Sequence, residues 1–135
     1  MITMTVTYLG ALRNQATHIK SGNTLITDAP TDNKGKGEAF SPTDLLCTSL
    51  ATCMITLMGI TADEKSIQLG SIDADIEKVM YSDPRRVGEI KIEFSIAQNN
   101  LTDREMKIIE NAAKHCPVAK SIHPEIKQEI TFNWK

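Results

Sequence analysis

The stretch "SPTDLLCTSLATCMITLMGI", Ser41 to Ile60, decides how this chain is read. Ser41 can cap a helix, Pro42 suits the first helical position, and Asp44 stands where a capping-box acid belongs. Beyond them Leu46, Leu50, Cys53, Leu57 and Ile60 recur at spacings of three and four, which predicts one apolar helical face. Met54 and Met58 add a second apolar stripe. Good helix formers continue to about Lys65, where "SIQLG" ends the pattern. Ser49, Ala51 and Thr52 are small enough around Cys53 for another backbone or a substrate to approach closely. One small sheet covers only one side of such a helix. The second stripe therefore predicts a partner, and we expect a homodimer with these helices near its interface.

Outward from the helix, the rest alternates as strands do. Residues 2–9, "ITMTVTYL", place Thr and apolar side chains at period two, as in a half-buried strand. "ALRNQATHIK" continues this less clearly, and "TLIT" is a third short strand after the turn "SGN". The loop "DAPTDNKGKGEAF" has no phosphate-loop or calcium-loop spacing and reads as a mobile surface loop. Downstream, "SIDADIEKVMY" and "VGEIKIEFSIA" form an antiparallel hairpin with one wet face, joined by the turn "SDPRR". Thr102 and Glu105 make a capping box that opens a second helix. Cys116 stands extended before Pro117, which starts a short helical turn. "QEITFNW" is a last strand. Segregated runs of strands and helices predict an α+β fold in a single domain, residues 1–135.

The 135 residues carry 15 Lys+Arg against 17 Asp+Glu and only 4% aromatics, so no basic stripe argues for nucleic acid. The N-terminal segment is too short and polar for a signal peptide, and no apolar run is expected to be long enough to span a bilayer. These features point to a soluble, cytoplasmic protein. The three cysteines are an odd number, against a secreted disulfide framework, and are expected to rest as thiols.

The thiols admit several readings. Cys47 lies about 120° around the helix from Cys53, cannot share a site with it, and is read as core. A zinc site would draw on His18, His115 and His123, yet the spacing contains no C-x-x-C pair. A Cys-His hydrolase lacks any local signature. A redox pair of Cys53 and Cys116 needs an accessible thiolate, a cation, and a second thiol within reach.

Pro42 and "DLL" ahead of Cys53, the small residues leading into that Cys, "PRR" before a strand, and the later "CPV" together resemble the OsmC/Ohr family. The "TDAP" loop resembles its broader OsmC-like branch. The resemblance implies antiparallel sheets packed on a long central helix and a second helix, in an intertwined homodimer. It implies a peroxidase without cofactor that reduces organic hydroperoxides in oxidative or osmotic stress. In that scheme Cys53 is the attacking thiolate and Cys116 the resolving thiol, with a lipoylated protein or small dithiol as reductant. An Arg held by a Glu stabilises the thiolate in such peroxidases, and Arg13, on an early strand, is the candidate here. Arg85 and Arg86 are expected to point outward or toward the partner subunit. The chain departs from those peroxidases where they carry Glu directly after the helix-opening Pro, because that position is Thr43. The departure implies an alternative, a weak or inactive dimer of this fold that binds a small apolar ligand or partner. The local physics also pulls against the resemblance, since Cys116 before Pro117 could be the more acidic thiol at a helix start.

Overall fold

The computed structural model describes residues 1–135. Strands β1 (Met4–Gly10), β2 (Arg13–His18) and β3 (Thr24–Asp28) precede a 3-10 turn (Thr31–Asn33) and helix α1 (Pro42–Lys65). Strands β4 (Leu69–Tyr81) and β5 (Arg86–Gln98) follow, then helices α2 (Asp103–Ala113) and α3 (Pro117–Ser121), and finally β6 (Lys127–Trp134). The fold is α+β. The chain forms two compact units, Met1–Leu46 and Cys47–Lys135.

In the larger unit the sheet runs β4-β5-β6. Alternation places Ile72, Ala74 and Ile76 of β4 opposite Ile96, Phe94 and Ile92 of β5. On the other side of β5, Ile92, Phe94 and Ile96 meet Ile130, Phe132 and Trp134 of β6. Ile90, Ile92, Phe94 and Ile96 are completely or almost completely buried, and the Phe94 and Phe132 rings stack at 5.5 Å. The opposite face carries Asp75, Glu77, Lys91, Glu93 and Glu129, so the hairpin has the wet face its sequence predicts. One expectation is corrected here: β6 runs parallel to β5, not antiparallel. The connection between them, residues 99–126, contains α2 and α3, and a helical crossover returns the chain to the end from which β5 started.

Helix α2 opens with the predicted capping box, the Thr102 hydroxyl accepting from the Glu105 amide and the Glu105 carboxylate accepting from the Thr102 amide. Ile109 and Ala113 are buried, and the Trp134 indole donates to the Glu110 carboxylate at 2.9 Å. Helix α1 buries Cys47, Leu50, Ala51, Met54, Met58 and Ala62. This corrects which stripe faces inward. Of the face expected to be buried only Leu50 is so; Leu46, Cys53 and Leu57 are half-buried, and Ile60 is exposed. A second correction concerns length. Helix α1 is long and apolar enough to cross a membrane, because Ser, Thr and Gly dilute its apolarity without adding charge. Buried core helices share that composition.

In the smaller unit β1, β2 and β3 form an antiparallel meander. The expected half-burial of β1 does not hold in the single chain, where Met4, Val6 and Tyr8 are 65, 67 and 62% exposed. The alternation is real, but these apolar side chains are exposed. The loop after β3 is organised by hydrogen bonds. The Pro30 carbonyl accepts from Asn33 and Gly35, and the Ala29 carbonyl from Gly37. A Cβ at Gly35 would collide with the Ala29 carbonyl, so only glycine fits the turn.

Replacing Phe94 by Ala should lower the unfolding free energy by about 3–5 kcal/mol in a denaturant titration. Glu77→Ala on the wet face should change it by about 0.5 kcal/mol or less. Equal losses in the two variants would contradict this placement of the core.

Candidate functional site

Cys53 lies near the middle of α1, about three turns from its start, and is half-buried on the side of the helix away from Met54. Cys116 is the N-cap residue of α3, with extended backbone at φ −77° and ψ 142°, and is fully buried. The sequence expectation of an extended Cys followed by a helix-starting Pro is met. The Cys53 side chain lies near enough to Cys116 to act on its thiol, and neither cysteine is in a disulfide. Cys47, at 2% exposure, is part of the core.

The environment of Cys116 answers the question of its acidity. Its Sγ accepts a hydrogen bond from the Ala119 amide at 3.2 Å, which favours the thiolate. Burial acts in the opposite direction and is the larger influence, and the nearby Cys53 adds to it, so the Cys116 thiol is pushed up from its ordinary value. Burial therefore opposes the acidity that a helix-start position would lend Cys116. Desolvation of a charged sulfur outweighs the two favourable amides, those of Ala119 and Val118.

Arg13 and Asp28 stand directly opposite one another in the β2–β3 register. Arg13 Nε donates to Asp28 Oδ1 at 2.7 Å and Nη2 to Oδ2 at 2.8 Å, a bidentate pair. Asp28 is only 3% exposed, whereas the Arg13 side chain is 36% exposed. The Glu38 amide donates to Asp28 Oδ2 at 3.2 Å, and the Glu38 carboxylate lies 4.0 Å from Arg13 Nη2. The hydrogen bond from Arg13 holds the Asp28 carboxyl below the usual carboxylate range, helped by Coulomb attraction to Arg13 and Lys36, while burial opposes it. Asp28, the acid paired with Arg13, was not singled out from the sequence. It lies in the "TDAP" stretch, and the β2–β3 register sets it against Arg13.

At that opening, Asp44 closes a capping box with Ser41. The Ser41 amide donates to Asp44 Oδ2 at 2.9 Å, and the Asp44 amide donates to Ser41 Oγ at 3.0 Å. Thr43 Oγ1 lies 3.1 Å from Ser41 Oγ. Arg86 is tied to its own turn, donating to the carbonyls of Ser82 and Pro84 and covering the Tyr81 ring. No group of three or more His, Cys, Asp or Glu side chains is placed to hold a metal ion.

The family profile of the OsmC-like proteins matches residues 35–131. The chain belongs to the OsmC-like protein family. Among solved structures, a candidate osmotic stress induced and detoxification response protein of Psychrobacter arcticus 273-4 is similar at 53% identity and a TM-score of 0.93, covering 98% of this chain and 96% of that one. An OsmC-like protein of Mycoplasma pneumoniae shares the fold at 17% identity and a TM-score of 0.80, covering 97% and 94% of the two chains. So does an organic hydroperoxide resistance protein OsmC of Legionella pneumophila, at 17% identity, a TM-score of 0.72 and 98% of both chains. No curated protein matches the sequence at a significant level. Within this OsmC-like chain the two thiols come together in the larger unit, and the Arg13 pair is internal to the smaller one.

The Asp28 pair has a pH signature. Asp28 is held low in the folded chain, so its contribution is complete above pH about 4 and is lost as pH falls from there toward the folded value. Thermal melts of wild type and Asp28→Asn should differ most near neutrality and converge below pH about 4. A gap constant from pH 7 to pH 3 would show that the charge of Asp28 contributes nothing.

Proposed function

We propose that this protein is a soluble, cytoplasmic, cofactor-free thiol peroxidase that reduces organic hydroperoxides. The observation that carries the reading is the nearness of two free thiols with unlike surroundings, Cys53 half-buried and Cys116 fully buried. Names borne by structural relatives, among them organic hydroperoxide resistance proteins of Legionella pneumophila and Elizabethkingia anophelis, point the same way.

In the proposed cycle the Cys53 thiolate attacks the distal peroxide oxygen. The O–O bond breaks, an alcohol leaves after taking up a proton, and Cys53 is oxidised by two electrons to the sulfenic acid. The Cys116 sulfur then displaces the hydroxyl, releasing water and forming the Cys53–Cys116 disulfide. A dithiol, either a lipoylated protein or a small thiol, reduces it by exchange and leaves as its own disulfide. Arg13 serves as the cation that favours the attacking thiolate. Burial of Cys116 suits the second role, because it keeps that thiol protonated until a sulfenic acid is beside it.

The working unit in this proposal is a homodimer. Two uncovered apolar surfaces support it: the β1 face of Met4, Val6 and Tyr8, and the α1 stripe ending at exposed Ile60. A monomer rarely leaves such surface to water. Light scattering should give twice the chain mass, and a monomer at micromolar concentration would overturn the dimer.

The activity test is consumption of an alkyl hydroperoxide with a dithiol reductant. Cys53→Ser should abolish turnover, and turnover equal to wild type would refute the mechanism. Cys116→Ser should accumulate a sulfenic acid that a dimedone-type probe labels, and an unlabelled variant would remove the resolving role. An apolar-ligand binder of the same fold would consume no peroxide in any of these forms.

A further inference from the structure

Resting on the peroxidase reading, we infer that Gln128 is a positioning residue for the resolving step: from β6 it holds α3 so that the Cys116 sulfur stays aimed for attack on Cys53. Gln128 is an exception in its strand. Parallel pairing sets Gln128, Ile130, Phe132 and Trp134 of β6 beside Ile90, Ile92, Phe94 and Ile96 of β5. All four β5 residues are buried, so these positions belong to the dry face of the sheet. Among the four on β6, only Gln128 carries an amide side chain. A polar group at such a position is stable only where its hydrogen bond is made.

That bond leads to the thiol. Gln128 Nε2 donates to the Ala119 carbonyl at 3.2 Å, and the Ala119 amide donates to Cys116 Sγ at 3.2 Å. One residue thus joins the β6 side chain to the sulfur. Helix α3 is only five residues long, so the Ala119 carbonyl lies beyond the reach of the helix's own amides. A single turn has little stability of its own, and none of the five residues is buried. Its orientation therefore depends on what grips it from outside. The other end of β6 makes a similar attachment with a different destination, where Trp134 Nε1 donates to Glu110 of α2 at 2.9 Å. Helix α2 is also held by buried Ile109 and Ala113, and that bond leads to no sulfur. The two steps of the proposed cycle use this grip unequally. Attack of Cys53 on peroxide takes no group from α3. In the second step Cys116 Sγ attacks the sulfenic sulfur, the S–O bond breaks, and the hydroxyl leaves as water with the thiol proton. That displacement is directional, so a loosely aimed attacking sulfur slows it directly.

The experiment compares the full-length wild type with Gln128→Met, Gln128→Glu, Gln128→Lys and Trp134→Phe. Rapid quenching and peptide mass spectrometry read two rates after addition of an alkyl hydroperoxide, oxidation of Cys53 and closure of the Cys53–Cys116 disulfide. Glutathione buffers read the equilibrium of the same disulfide without any peroxide. Gln128→Met keeps the length and loses the donor. It should oxidise Cys53 at the wild-type rate and close the disulfide about 10-fold more slowly. Its sulfenic acid should stay open longer to a dimedone-type probe, and its disulfide should be reduced at a lower ratio of reduced to oxidised glutathione. Gln128→Glu also lacks the donor when ionised and should behave alike, which decides the matter if Gln128→Met does not fold. Gln128→Lys keeps a donor and should recover part of both effects. Trp134→Phe loses the bond to α2 and should melt earlier, with closure within about 2-fold of wild type. Wild-type closure and equilibrium in the folded donor-less variants would overturn the inference, as would equal slowing in Trp134→Phe, which would mark a general loss of stability. A wild type that forms no Cys53–Cys116 disulfide in either assay would overturn it too. A wild type that closes the disulfide in glutathione but is not oxidised by peroxide would instead sink the peroxidase reading, and the glutathione equilibria would still decide the role of Gln128.

Discussion

The larger unit depends on keeping one face of β5 dry. Ile90, Ile92, Phe94 and Ile96 project to the same side, and a strand so patterned is stable only where that side is fully covered. Pairing with β4 and β6 extends the apolar face on both flanks, and the buried residues of α1 and α2 complete the same core. The parallel pairing of β6 follows from this. A strand that adds to the open edge of β5 after a helical crossover arrives running in the same direction. Cys116 sits in that crossover, at the break between α2 and α3, and the same core that orders the sheet buries its sulfur. The nearness of the two thiols is therefore a product of topology, built by elements far apart in sequence.

The apolar content of α1 is more than this core consumes. Only 33% of its most apolar stretch is buried, and the inward stripe is the one containing Met54 and Met58. Methionine adapts its shape to irregular gaps, and Ala51 and Ala62 beside it let the helix pack closely. The outward stripe of Leu46, Cys53, Leu57 and Ile60 is left for another surface. In the proposed dimer that surface is a second chain, which would also cover the β1 face. Under this reading the position of Cys53 on the outward stripe has a purpose: it keeps the reactive sulfur away from the close-packed core, where neither peroxide nor reductant could reach it.

Much of the fold was legible because local signals agreed. The capping pairs Ser41–Asp44 and Thr102–Glu105, the alternation of β4 and β5, and the extended Cys116 before Pro117 all depend on residues close in sequence, and all appear as read. The inward stripe of α1 was harder, since both stripes are apolar and the choice between them belongs to tertiary packing. The direction of β6 was not legible either, because parallel and antiparallel strands carry the same period. The exposure of β1 could not be read, since alternation reports which side chains share a face and not whether anything covers it. Asp28 was missed for a related reason. Its partner is fifteen residues away, and only the β2–β3 register brings the two together.

Cys116 shows why a local rule needs a dielectric before it predicts acidity. An amide donating to sulfur at a helix start lowers a thiol pKa wherever the charged sulfur is also solvated. Here the Ala119 amide is present with good geometry, yet the sulfur is closed off from water and the balance goes the other way. The amide still has a consequence. It fixes the Sγ direction, and a sulfur held in one orientation beside Cys53 is better placed for attack on a sulfenic acid than a rotating one. Orientation without ionisation is what a resolving thiol needs. An early thiolate at Cys116 would compete for peroxide, whereas a buried, aimed thiol waits for an oxidised neighbour. In the proposed cycle, burial and one backbone hydrogen bond would thereby give two residues of the same type different roles.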